Sequence, residues 1–281
     1  MRYATAATAA ALLATLSAHV AAHGVVTQIQ GANGVNMPGL SVIDGTPRNC
    51  ATPLCGAEAD TSIIRQDELG TDRASALGRT EGGGPVDAAR VISAFMGTSS
   101  SSAGNGNKRG LLGSLLGGSD GSQNAGTKSS GVETGIQDTA GKGAQSGIPT
   151  CSDNGTISMT FHQVNQDGAG PLTAMIDPTS GGTDPNAFQQ AEVTQDVPGD
   201  ALGLSLVTTT DFPIQVQMPE GMTCQGSVGG VSNVCIVRVH NNALAGPFGG
   251  SAAFTQSSAA RKRAVEYNLR KRHMARGVLR Q

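Results

Sequence analysis

The sequence predicts a mainly β protein: an antiparallel immunoglobulin-like β-sandwich with a long disordered Gly/Ser insertion and a C-terminal basic helix. Three observations predict it. Short runs alternate apolar and polar side chains with a period of two, as in Ile157-Ser158-Met159-Thr160-Phe161-His162. Turn pairs separate those runs, among them Asp167-Gly168, Gly181-Gly182, Pro198-Gly199 and Gly229-Gly230. Many short strands between frequent turns argue for a sandwich.

Taken in order, residues 1–22 read as a secretory signal. Arg2 gives a small positive start, Ala6 to Leu16 a short apolar stretch, and Val20-Ala21-Ala22 the small-residue cleavage pattern. The apolar run is too short to span a bilayer, so the mature chain is expected to begin at His23 and to be extracellular. Residues 23–96 form the first part of the sandwich, with a strand at 24–30 and short helices at 60–69 and 86–96. From 97 to 149, Gly and Ser make up 24 of 53 residues. So little apolar surface does not offset the entropy of ordering, and the stretch is expected to be disordered. Lys108-Arg109 within it is a dibasic pair open to a processing protease. The Gly117-Gly118-Ser119-Asp120-Gly121 match to a nucleophile elbow lacks the strand and helix that the motif needs, and is read as chance. Residues 150–257 complete the sandwich, with strands at 157–162, 202–207, 212–218 and 235–240. Residues 258–281 form a basic helical tail with Ala260, Ala264, Leu269 and Met274 as an apolar stripe, suited to peripheral membrane or acidic-surface contact.

Composition narrows the function. Residues 23–260 hold 10 basic against 20 acidic side chains, net −10, and residues 261–281 hold 8 against 1, net +7. An acidic body excludes a nucleic-acid-binding surface. There is no Trp, and the tyrosines are Tyr3 and Tyr267, so a wide stacking platform for sugars is not expected. Five cysteines in a secreted chain read as disulfides. Cys224 and Cys235 bracket a Gly-rich turn between strand-like runs and are the expected pair; Cys50, Cys55 and Cys151 leave one thiol over. Asn154-Gly155-Thr156 is an N-glycosylation acceptor at a turn. Asp167, Asp177 and Asp184 sit in Gly/Pro turns and read as turn residues rather than as a hydrolase pair or a calcium loop.

The histidines carry the sharpest chemical expectation. An N-terminal His23 chelates a metal through its amine and ring together, and one more ring, from His162 or His240, would complete a three-nitrogen site suited to Cu(II). Copper lytic polysaccharide monooxygenases begin with such a histidine. Their axial aromatic would correspond to Phe248 in Gly246-Pro247-Phe248-Gly249-Gly250.

At His23-Gly24-Val25-Val26-Thr27 and in the runs GANGVNMPGLSVIDGTPRNC, ALGRTEGGGPVDAARVISAFMG, PTCSDNGTISMTFHQVNQDGAGPLTA, TTDFPIQVQMPEGMTC and NVCIVRVHNNALAGPFGGSAAFTQ, the chain resembles a known family. It is similar there to the Gas/Mas-like (Egh-type) appressorium-specific secreted proteins of filamentous fungal pathogens; the basic ending ARKRAVEYNLRKRHMARG fits as well. The resemblance implies a virulence role in host penetration, at the surface of infection structures, and supplies no enzymatic mechanism. Three functions are therefore expected, in this order: binding of a host or fungal cell-wall polysaccharide or host surface; copper-dependent oxidation; and a structural place in the wall.

Overall fold

The computed structural model describes residues 23–98 and 126–278. The expected signal segment, Lys108-Arg109 and the Gly117–Gly121 stretch lie outside them.

The chain opens with β1 (Gly24–Gln30), which doubles back through a tight turn to β2 (Asn36–Pro38). Short strands β3 (Ser62–Ile63), β4 (Arg79–Thr80) and β5 (Gly84–Pro85) follow, then helix α1 (Ala88–Met96). Beyond the undescribed stretch come β6 (Thr127–Lys128), α2 (Gly135–Thr139) and α3 (Gly143–Ser146). The second half supplies the long strands β7 (Thr156–Gln163), β8 (Thr173–Asp177), β9 (Gln189–Gln195) and β10 (Thr210–Gln217). It continues with β11 (Gly226–Val228), β12 (Val231–His240) and β13 (Phe248–Thr255), and ends in α4 (Ser258–Val278).

Every ladder between these strands is antiparallel, and eleven of the strands form one path in the order β2-β1-β7-β10-β9-β8-β12-β13-β3-β4-β5, with β6 paired to β10 and β11 to β12 beside it. The path is continuous, so a single sheet curled into a half-barrel stands where alternation suggested two separately bonded immunoglobulin-like sheets. Alternation specifies a buried face, not what buries it. The curl is made possible by β13, whose Gly249-Gly250-Ser251-Ala252-Ala253 run offers almost no side-chain bulk. A Cβ on Gly250 would stand 2.6 Å from the Val26 nitrogen of β1, so only glycine lets the two strands approach. The Leu40 N–H donates to the Ser251 carbonyl (2.8 Å) and fastens the same seam. A bulge in β1 between Val26 and Gln28 adds local bend.

The core fills the inside of the curl. Val26, Ile29, Ile157, Met159, Phe161, Ile214, Val216, Ile236, Ala252 and Phe254 are all at most 1% exposed. Each large side chain of this kind stabilises the fold by about 1.5–3 kcal/mol over its exposed state. Helix α1 starts at Asp87, whose carboxylate accepts from Ala89 N (2.8 Å), and stops at left-handed Gly97. Its Val91, Ile92 and Phe95 share one face and are buried.

Several sequence expectations give way here. Residues 202–207 form no strand, because the Asp200 carboxylate accepts from Leu202 N and Leu204 N and Gly203 is left-handed, which folds the run into turns. Residues 60–69 form β3 and turns rather than a helix. Residues 126–149, expected to be disordered, are folded. Glu133 pairs with buried Arg48, Asp44 accepts from Ile136 N and Gln137 N at the start of α2, Gly143 packs under Phe95, and Ile148 is buried. The apolar surface missing locally is supplied by the rest of the chain. Of the tail stripe, Ala260 and Ala264 are buried whereas Leu269 and Met274 are exposed, so the apolar packing of α4 is confined to its first two turns.

Candidate functional site

His23 stands at the entrance to β1 and is 4% exposed. The loop that leaves β7 wraps it. Val164 N–H donates to the His23 carbonyl (2.9 Å), and the His23 backbone nitrogen donates to Asn165 Oδ1 (2.7 Å). Gly168 presses so closely on the His23 carbonyl that any side chain there would collide with it. The His23 ring meets two groups. Its Nδ1 lies 3.2 Å from Glu58 Oε1, and its centroid lies 4.6 Å from that of Phe248, with the planes tilted by 36°. Asn165 Nδ2 donates to the same Glu58 oxygen (3.1 Å).

A second carboxylate, Asp167, belongs to the wrapping loop. It is 7% exposed, and its Oδ2 is buried with no hydrogen-bond partner. Burial raises its pKa above the ordinary aspartate range. Its own backbone N–H and the His23 charge oppose the rise, and Glu58 adds to it. This departs from the plain turn role expected of Asp167. Asp177 and Asp184 do serve their turns: Asp177 accepts from Thr179 N, Ser180 N and Gly182 N, and Asp184 from Asn186 N.

Phe248 is thus beside His23, at the start of β13. The other two histidines are engaged elsewhere. His162 lies opposite Val25 and Asp211 in the sheet. Its Nδ1 is 2.7 Å from Asp211 Oδ1 and 3.1 Å from Ser129 Oγ, and its buried Nε2 has no partner. The alternation that put His162 on a polar face holds, yet β6 and Ser129 cover that face and leave the residue 0% exposed. His240 ends β12 opposite Gly249, with Nδ1 3.0 Å from the Asn241 carbonyl. Burial, and secondarily Arg238, hold its pKa below the usual histidine range against the Asn241 carbonyl. Among the described residues, no group of three or more His, Cys, Asp and Glu side chains is placed to hold a metal ion.

A second feature escaped the sequence. An open groove of about 750 Å³ runs between β9, β10 and α4. Gln190, Glu192, Gln217, Arg263, Tyr267 and Arg270 line it, and Asn154 stands at its rim. Asn268 Nδ2 donates to the Gly221 carbonyl (2.8 Å) and fixes the helix against the turn after β10. The one signal for this groove was Tyr267, the sole aromatic residue of the tail. The exposed Asn154 takes the Thr156 hydroxyl on Oδ1 (2.8 Å). Cys224 pairs with Cys235 and Cys50 with Cys55, leaving Cys151 as a buried thiol.

The family model described as Egh16-like virulence factor matches residues 21–249. The chain is 57% identical to the appressoria-specific virulence factor GAS2 of Pyricularia oryzae, over 99% of this chain and 97% of that one. It is 30% identical to the appressoria-specific virulence factor GAS1 of the same fungus, over 90% of this chain and 80% of that one. No solved structure matches it.

Proposed function

The chain belongs to the Egh16-like virulence factor family, and from that premise we propose that it is an appressorial virulence factor, secreted after removal of residues 1–22, that acts by binding a cell-wall polysaccharide rather than by turnover. The observation that carries the binding reading is the contrast between its two sites. His23, Glu58, Asp167 and His162 are all buried, whereas the groove beside α4 is open and presents amides and charged side chains, among them Glu192, Glu220 and Glu266, next to an aromatic ring. Gln190, Glu192 and Gln217 match sugar hydroxyls, and Tyr267, 39% exposed, matches an apolar sugar face. An N-glycan on Asn154 would stand at the groove's rim. Beyond Tyr267, Arg270, Lys271 and Arg272 are exposed and add contact with acidic surfaces that weakens as salt rises.

The test is sedimentation of the protein with insoluble chitin, β-glucan and plant-wall polymers. The bound fraction should fall when Gln190→Ala and Tyr267→Ala are combined. Retention on every polymer regardless of these substitutions overturns the groove reading and favours a structural wall protein.

Copper-dependent oxidation at His23 is a second reading, favoured by one observation, the Phe248 ring against His23. It requires the Nε2 of His162 or His240 as the second ring nitrogen, since the Nδ1 of each is in another contact. It is lost if a chain starting at His23 binds Cu(II) no more tightly than one with an extra N-terminal residue.

A further inference from the structure

Two buried carboxylates flank the start of the fold, and among the described residues no Lys or Arg pairs with either. Glu58 faces the His23 ring, and Asp167 Oδ2 faces no donor. Glu58 has Asn165 and the His23 ring for partners, but a carboxylate oxygen such as Asp167 Oδ2, held away from water without a partner, is expensive and calls for a donor or cation. The nitrogen of His23 donates at 2.7 Å to Oδ1 of Asn165, which stands in the loop that carries Asp167 and itself donates to Glu58. As part of a peptide bond it offers one N–H and no charge. Hydrolysis of the Ala22–His23 bond by a signal peptidase changes that. Water gives its oxygen to the departing Ala22 carboxylate, and the His23 nitrogen becomes an ammonium with three donors and a full positive charge.

We propose that this ammonium is the missing cation: the mature N-terminus is a buried group seated among Glu58, Asn165 and Asp167, and cleavage before His23 locks β1 to the 164–168 loop. Phe248 packs on the His23 ring and holds that residue in its buried place. The Val164-to-His23 bond and the close fit of Gly168 hold the terminus in register, so the charge appears where the donors are needed. The proposal rests on the cleavage position given above.

The test compares chain 23–281 with chain 22–281, which keeps Ala22, each with and without Asp167→Asn, all at neutral pH. The chain that starts at His23 should melt at least about 4 °C higher, given roughly 2–4 °C per kcal/mol for a domain of this size. Asp167→Asn should lower the melting temperature of 23–281 but leave that of 22–281 unchanged or higher, since only the first contains the cation. In addition, the α-amine of folded 23–281 should be acetylated at least about tenfold more slowly than after urea unfolding; this readout stands even if 22–281 does not fold. Equal melting temperatures with equal acetylation rates overturn the lock. N-terminal sequencing of protein secreted from a fungal host is a separate check: a start other than His23 sinks the cleavage position, whereas a His23 start without the lock sinks only this inference.

Discussion

Arg48 is the residue whose loss should be felt most. It is 6% exposed and reaches two carboxylates. Its Nη1 and Nη2 lie 3.0 and 2.5 Å from Asp60, and its Nε and Nη2 lie 3.0 and 2.7 Å from Glu133. Burial alone would lower its pKa, but Asp60 and then Glu133 outweigh burial and raise it. Asp60 is 0% exposed, and Glu133 also accepts from Gly135 N (2.8 Å) at the start of α2. Arg48→Ala thus leaves two carboxylates facing one another away from water, and breaking a buried pair from one side costs about 3–5 kcal/mol. At roughly 2–4 °C per kcal/mol this is a fall in melting temperature of about 6–20 °C. Arg48→Lys keeps the charge without the two-pronged fork and should fall in between. Thermal melts followed by circular dichroism measure the fall. Limited proteolysis should show residues 126–149 becoming the first site of cleavage. A drop of under about 2 °C for Arg48→Ala would refute the reasoning, because it would mean that water already solvates these carboxylates.

The remaining expectations concern pH and the cysteines. Burial would raise the Asp177 pKa, yet bonds from Ser180, Thr179 and Gly182 outweigh it and hold the pKa below the ordinary aspartate range. A depressed carboxylate contributes stability above its unfolded pKa and loses it as pH falls through the folded one. Asp177→Asn should therefore cost about 1–3 kcal/mol at neutral pH, and the gap to the parent chain should close below about pH 4 in urea melts; a gap independent of pH contradicts the assignment. Cys224→Ser should destabilise by about 2–4 kcal/mol, measured as a lower urea midpoint, and a reducing agent should then make little further difference beyond the Cys50–Cys55 link. Cys151 is 1% exposed and burial pushes its thiol pKa up. Iodoacetamide should leave it unmodified in the native protein and label it fully in urea; labelling under native conditions would show that this part of the core opens.

The elements that were legible share a clear local signature. In β1 and β10 one face is apolar and the other polar, and α1 has a capping aspartate, an apolar face and a terminal glycine. Strand β13 has none of this. Its Gly249, Gly250, Ala252 and Ala253 are small because β1 crosses close to them, and no alternation survives in a strand buried on both faces. Strand β9 fails in the opposite way, with Gln190 and Glu192 exposed, so its polar sequence reads as loop. The 126–149 segment was read as disordered because its anchors, Arg48 and Asp44, are more than 80 residues distant. At the site, Phe248 packs against His23, while Glu58 and Asp167 gave no signal because single carboxylates in turns are commonplace.

By itself the sequence determined that this chain is antiparallel β, that its first strand runs over 24–30, that Cys224 pairs with Cys235, and that it resembles a virulence family. Those properties are written in short-range periods, spacings and motif identity. Only the tertiary structure decided that one sheet curls on itself, that Glu58 and Phe248 meet the His23 ring, and that a groove opens beside α4. Each of those depends on which backbone comes within a few ångströms of another. Asn165 meets His23 across 142 positions, and no local pattern encodes a partner that far along the chain.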